Sequence, residues 1–320
     1  MTSSSFLMII TQDEEILDFL AKKPHYSDMG RRITTDGLFP NDEHPCEVAI
    51  DHLPHGCDLH SHDFVEVVIV LDGTADHQID DQVYPVSAGV VSVLHGQSQH
   101  CFFHATPDFT VCKIIYRTDT PWVPHEHFKT LPGYQALFVL EPFRRKQHEF
   151  PSCLRLNGAM LHEVLGLTQH LQDELQSRSQ GYQYMAQGYL LQLIVLLSRC
   201  YARLRGEEPA GLLRLSEAVI YLEEHYLEDL KIGDIAAKAQ LSERHFVRLF
   251  HMTFHVSPSE RILHLRINHA RRLLESGNLN VTETAYTSGF HDSNYFSRQF
   301  RRLVGCTPRE YRRRVSTVTD

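Results

Sequence analysis

The hydrophobic rhythm of the chain changes near residue 157. Before that point, short apolar runs are closed by turn residues. Val65 to Leu71 ends at Asp72 and Gly73, and Val83 to Val86 is parted from Val90 to Leu94 by Ser87, Ala88 and Gly89. Phe109 to Tyr116 is a further run. Many short strands at this spacing predict a sandwich or barrel over residues 1–155. From Asn157 the period becomes helical, with Leu161, Val164, Leu165, Thr168 and Leu171 on one stripe. A second long helix is expected over Tyr182 to Leu204. Gly206, Pro209 and Gly211 lie in a polar stretch that reads as a linker over 206–212. Everything after it reads as helix. The expected architecture is α+β and multidomain: a β-barrel, a helical dimerisation region over 156–205, and an all-α domain over 213–314.

That last segment contains an internal repeat. Phe250, Ser257, Pro258 and Glu260 recur as Phe300, Thr307, Pro308 and Glu310. Ser257 and Thr307 can cap a helix, the prolines suit a first helical position, and the glutamates complete capping boxes. A helix-turn-helix pattern precedes each copy, over 232–253 and 281–304. In the first, Ser242 caps the helix Glu243 to Thr253. In the second, Asn280 caps Val281 to Ser288, Gly289 and Phe290 turn the chain, and Asp292 caps Ser293 to Val304. Ala236 and Ala285 let paired helices cross closely, and Phe246, Phe250, Phe296 and Phe300 are the expected anchors. The copies differ at the turn, where Gln240 stands against Gly289, and at the first cap, where Lys231 stands against Asn280. A non-glycine residue in a left-handed turn costs about 1–2 kcal/mol, so the first unit is expected to be the weaker. A helix over Pro258 to Glu275 would fix the spacing between units.

The second helix of such a unit enters the major groove of DNA. The expected base-reading residues are Arg244, His245 and Arg248 from the first unit, and Asn294, Ser297 and Arg298 from the second. Asp292 is a cap or a contact to a cytosine amino group. Net charge becomes informative here. The chain as a whole carries −9, but residues 231–320 hold 15 Lys and Arg against 8 Asp and Glu, whereas residues 1–212 carry −12. Phosphate binding follows the local field of one face, so the basic tail is the DNA-binding part. Seven cysteines without CxxC spacing read as reduced thiols of a cytoplasmic protein, and no apolar run approaches the ~20 residues of a membrane span.

Ala285, Gly289, Phe290, Asp292, Ser293, Asn294, Tyr295, Phe296, Ser297, Arg298, Phe300, Gly305, Thr307, Pro308 and Tyr311 together resemble the signature of the AraC/XylS family. The resemblance covers residues 213–314. It implies double-stranded DNA as partner and an activator that works beside RNA polymerase, with no enzymatic activity.

The front half resembles a cupin-like barrel through His60, His62, Phe64, Glu66 and Gly73. On an extended strand, the first four point to one face. A second, partial motif has Pro85, Gly89 and His100. His60, His62, Glu66 and His100 are the candidate effector-binding residues. They are also a possible set for a divalent metal, although no cofactor is required. The layout is most similar to the rhamnose-responsive members of the family, which implies a carbohydrate or sugar-acid effector. The helix Tyr182 to Leu204 carries Met185, Tyr189, Leu193, Leu196 and Tyr201, more apolar surface than a monomer helix needs, so a homodimer interface is expected there. Two alternatives stay open: a metal-dependent enzyme fused to a DNA-binding domain, and a metal or redox sensor using Cys57 or Cys101.

Overall fold

The computed structural model describes residues 32–33, 46–95, 98–117, 123, 128–142, 154–204, 207–276 and 279–316. The chain divides into two compact units, Met1–Leu213 and Arg214–Asp320.

The first unit is built on strands β1 (Arg32–Ile33), β2 (Cys46–His52), β3 (Ser61–His62), β4 (Val65–Asp72), β5 (Thr74–Ile79), β6 (Gln82–Ser87), β7 (Val91–Leu94), β8 (His100–Phe103) and β9 (Thr110–Tyr116). One sheet has the order β2-β9-β4-β7, a second β6-β5-β8, and β1 pairs with β3 alone. Strands β4 and β9 are central and buried on both faces, which explains their nearly unbroken apolar runs. Strand β5 alternates buried and partly exposed residues, as expected with one covered face. The inner faces of the two larger sheets share one core. Val68, Val70 and Val111 from the first meet Ala75, Ile79 and Phe102 from the second. Each valine, isoleucine or phenylalanine side chain fully buried here stabilises the fold by about 1.5–3 kcal/mol.

A short helical segment, Pro132–Tyr134 continuing as Gln135–Leu140, and then two long helices, α1 (Gly158–Ser177) and α2 (Tyr182–Ala202), follow the strands. Asn157 starts α1 by accepting a hydrogen bond from the backbone of Met160 at 3.0 Å. Leu161, Val164, Leu165 and Leu171 of α1 are buried, as are Leu190, Leu193, Leu197 and Tyr201 of α2. Helix α2 ends before the polar stretch read as a linker over 206–212, but residues 207–212 of that stretch form the first turns of helix α3 (Glu207–His225). Pro209 falls in its first turn, where backbone N–H groups have no intrahelical acceptor, so proline costs little there.

The second unit contains the rest of α3 and six more helices: α4 (Ile232–Lys238), α5 (Glu243–Phe254), α6 (Pro258–Ser276), α7 (Val281–Thr287), α8 (Ser293–Val304) and α9 (Pro308–Ser316). Ile267, Ala270 and Leu274 on one stripe of α6 pack with Ala285, Phe290, Phe296 and Phe300. The proline-led helices α6 and α9 start alike. Ser257 and Thr307 each accept from the backbone of the glutamate three residues on, at 3.2 Å, and Glu260 and Glu310 accept from the Ser257 and Thr307 backbones at 2.8 Å. These backbone hydrogen bonds hold both glutamate carboxyls below the usual range.

Candidate functional sites

Helices α4 and α5 form the first helix-turn-helix unit, and α7 and α8 the second. The two turns use equivalent bonds, with Leu241 N donating to Ala236 O and Phe290 N to Ala285 O, both at 3.1 Å. Ser242 caps α5 by accepting from His245 N at 3.3 Å, and Asp292 caps α8 by accepting from Tyr295 N. Phe246 and Phe250 bury one face of α5, and Phe296 and Phe300 bury the same face of α8. The other face is left to solvent. Arg244, His245 and Arg248 are exposed on α5, and Asn294 and Arg298 on α8. Arg248 and Arg298 occupy equivalent positions, two residues before the second buried phenylalanine of each unit. Ser297 is different. It is half-buried, and its hydroxyl donates to Ser293 O at 2.9 Å, so its hydrogen is committed to its own helix. Tyr295, equivalent to His245, is exposed on the same helix as Asn294 and was not singled out from the sequence. An aromatic residue between polar ones on a recognition helix was the available signal.

In the first unit, the strand expected from His60 to Glu66 is interrupted. It bends at Asp63 and Phe64 between β3 and β4. The side chains nevertheless converge with His100 from β8. His62 Nε2 and His100 Nε2 lie 3.3 and 3.2 Å from Glu66 Oε2. The His60 and His100 rings are 4.2 Å apart, and Phe64 stacks on His62 at 4.3 Å. Two main-chain carbonyls orient the imidazoles. His60 Nδ1 donates to Asp58 O at 2.8 Å and His62 Nδ1 to Phe64 O at 3.0 Å. His100 is fully buried, and neither ring nitrogen has an aligned hydrogen-bond partner among the described residues. Burial pushes its imidazolium down to about 4, against the pull of Glu66. Burial raises the Glu66 carboxyl, but the His100 and His62 imidazoles and the Lys113 charge outweigh it and hold it well below the usual range. The cluster therefore sets a buried carboxylate beside the neutral imidazole of His100.

Three further ionisable residues join this interior. The His77 ring lies 5.7 Å from that of His100 and 4.1 Å from Phe102. Lys113 Nζ lies 2.9 Å from Asp51 Oδ2. Their sequence signal was a polar residue at an inward position of an apolar strand, most visibly Lys113 between Cys112 and Ile114. Burial lowers the Lys113 ammonium, but Glu66 and Asp51 outweigh it and raise it, so it carries its charge. Cys57 and Cys101 are free thiols, and burial pushes both up, away from the reactive thiolate.

Two helix-turn-helix units with exposed basic recognition helices, and a separate β-domain with a polar interior, define a DNA-binding regulator with a ligand-binding domain. Residues 235–314 match the family described as Helix-turn-helix domain, and residues 47–123 match the AraC-like ligand binding domain. The HTH-type transcriptional activator RhaS of Enterobacter sp. (strain 638) is 31% identical over 277 residues, 86% of this chain and 94% of that protein. The protein of the same name from Escherichia coli O1:K1 / APEC is 28% identical over 253 residues, covering 79% and 86%. A solved AraC-type regulator from Chromobacterium violaceum is 34% identical, covers 32% of this chain and 91% of that one, and overlays with a TM-score of 0.30. The chain belongs to the AraC family and is a DNA-binding transcriptional activator rather than an enzyme. No helix among the described residues is long and apolar enough to cross a membrane.

Proposed function

We propose that this activator is gated by a small carbohydrate bound inside the β-domain, between His60, His62, Glu66 and His100. The observation that supports this most is their convergence on one buried interior, with Glu66 Oε2 and both ring nitrogens of His100 short of aligned hydrogen-bond partners. Burying such groups unsatisfied costs about 1–3 kcal/mol each, and a hydroxyl-rich ligand can both donate to and accept from them. The sequence resemblance to rhamnose-responsive members of the family points the same way. Binding must differ between two states of the protein, because a ligand that binds both equally shifts nothing. Calorimetric titration of the full chain with a panel of aldopentoses, aldohexoses and 6-deoxyhexoses tests the reading. At least one sugar should bind, and Glu66→Gln should weaken it by about tenfold or more. A folded Glu66→Gln protein with unchanged affinity would place the effector elsewhere.

On the DNA side, Arg244, His245 and Arg248 of α5 and Asn294, Ser297 and Arg298 of α8 read the operator. The protein works in the cytoplasm as a homodimer beside RNA polymerase. The dimer contact is assigned to 156–205, where α2 leaves Tyr184 80% and Met185 48% exposed. Arg248→Ala should relax preference at one operator position by ~1–3 kcal/mol in binding to sequence-varied duplexes. Equal loss on all sequences would make Arg248 a phosphate contact instead.

A second reading has its own observation. His60, Glu66 and His100 each offer a ligand atom, all within 4.8 Å of one another. Imidazole nitrogens with a carboxylate suit a divalent transition metal, and the carbonyl of Asp58 would be the outer partner that orients His60. Elemental analysis of the protein purified without chelator tests it. Near-stoichiometric metal, lost in His100→Ala, would support it.

A further inference from the structure

Lys113 and Asp51 form a buried ion pair beside the cluster of His60, His62, Glu66 and His100. Their side chains are only 10% and 7% exposed, and Nζ lies 2.9 Å from Oδ2. Strand register places them on the same face as Glu66. Lys113 stands directly opposite Val68 on β4 and Ala49 on β2. Glu66 is two residues from Val68, and Asp51 two from Ala49, so each is a diagonal neighbour of Lys113, about 7–8 Å away by backbone spacing. Val68 and Val111 on that face belong to the core shared by the two sheets. Asp51, Lys113 and Glu66 thus form a band across β2, β9 and β4, and His62 and His100 continue it from Glu66.

Such a pair is poor structural glue. Removing each ion from water costs several kcal/mol, and a well-packed apolar pair of similar size is often at least as stable. What the pair supplies is a donor and an acceptor side by side, with its charges already compensated. A hydroxyl suits that arrangement, because it can accept from the ammonium and donate to the carboxylate. A ligand carboxylate does not, because it would stand as a third anion beside Asp51 and Glu66. We propose that Lys113 and Asp51 are specificity-determining contacts that hold a hydroxyl at the far end of the effector, which is therefore a polyol at that end and not an acid. The inference rests on the reading that the effector enters this barrel.

The test is calorimetric titration of the full chain with the tightest-binding aldose of the panel, its mono-deoxy derivatives and its aldonic and uronic acids. The variants are Lys113→Met, the near-isosteric Asp51→Asn, and Glu66→Gln, with thermal melts to establish folding. If Lys113→Met does not fold, Asp51→Asn carries the test. Lys113→Met should weaken the parent sugar by about tenfold and erase the penalty for losing one particular hydroxyl, while penalties at other positions persist. At least one of the acids should bind the wild type about tenfold more weakly than the sugar. A merely structural pair would lower the melting temperature, or weaken all sugars alike, and either result without selective loss overturns the proposal. If Lys113→Met and Asp51→Asn bind every sugar as the wild type does while Glu66→Gln does not, the barrel reading survives and this one falls. If Glu66→Gln also binds normally, or no sugar binds, both fall.

Discussion

The two helix-turn-helix units share a plan but solve the same backbone problem differently. Each needs a left-handed residue at the turn and another after the recognition helix. The second unit places glycine at both, Gly289 with φ 80° and Gly305 with φ 84°. The first places Gln240 and His255 there, both with φ 55°. The start of the supporting helix differs as well. Asn280 accepts from the backbones of Thr282 and Glu283 at 2.9 Å, and Glu283 accepts in turn from Asn280 N at 2.8 Å. Lys231 offers no side-chain cap at the same point of the first unit. The second turn is also one residue longer, with His291 lying between the Phe290 turn residue and the Asp292 cap. Local interactions therefore favour the second unit by a few kcal/mol, and the first relies more on tertiary packing. A repeat can therefore keep its fold while its local stability drifts, since two fully buried phenylalanines anchor the recognition helix of each copy.

The sharpest way to break the comparison is at Gly289. A Cβ there would lie 2.8 Å from the Leu227 carbonyl oxygen and 2.9 Å from Arg266 Nε, on top of the left-handed strain. Gly289→Ala should destabilise the protein by about 2–4 kcal/mol in denaturant unfolding. Gly305→Ala, with nothing within 4 Å of the added carbon, should cost only the backbone part, about 1 kcal/mol. Equal losses at the two positions would mean the Leu227 segment yields freely. Next in size is the cap. Asn280→Ala should cost about 1 kcal/mol, and Lys231→Asn should return a similar amount to the first unit, both read by amide exchange on α7 and α4. No gain from Lys231→Asn would show that α4 is limited by packing. The smallest effect is the reverse exchange at the first turn. Gln240→Gly should stabilise by about 0.5–1 kcal/mol, because the relief of left-handed strain is partly offset by the extra freedom glycine gives the unfolded chain. A loss on Gln240→Gly would reveal a contact of the Gln240 side chain that favours the left-handed turn.

Much of the DNA-binding unit was legible in the sequence, since its signals are local. Caps, prolines and turn residues act within three or four positions, so Ser242, Asp292, Ser257 and Thr307 could be read one by one. The spacing of Phe246, Phe250, Phe296 and Phe300 marked the buried faces in the same way. The charge division between residues 1–212 and 231–320 needed only counting. His60, His62 and Glu66 were legible as a set because strand alternation predicts a shared face, and the bend at Asp63 and Phe64 did not undo it.

Tertiary structure alone decided the rest. Helix α3 continues through 207–212 because a proline in the first turn ends no helix. The interior of the β-domain combines Asp51, Glu66, His77, His100 and Lys113 from five strands. No local rule links Asp51 to Lys113 across sixty residues of chain. Their meeting follows from the pairing of β2 with β9, whose register puts Ala49 opposite Lys113. A slip of one residue would turn Lys113 to the other face. Sheet order and register are set by the whole core at once, so the amino-acid sequence displayed the inward-facing charges singly, and only the folded sheets brought them together.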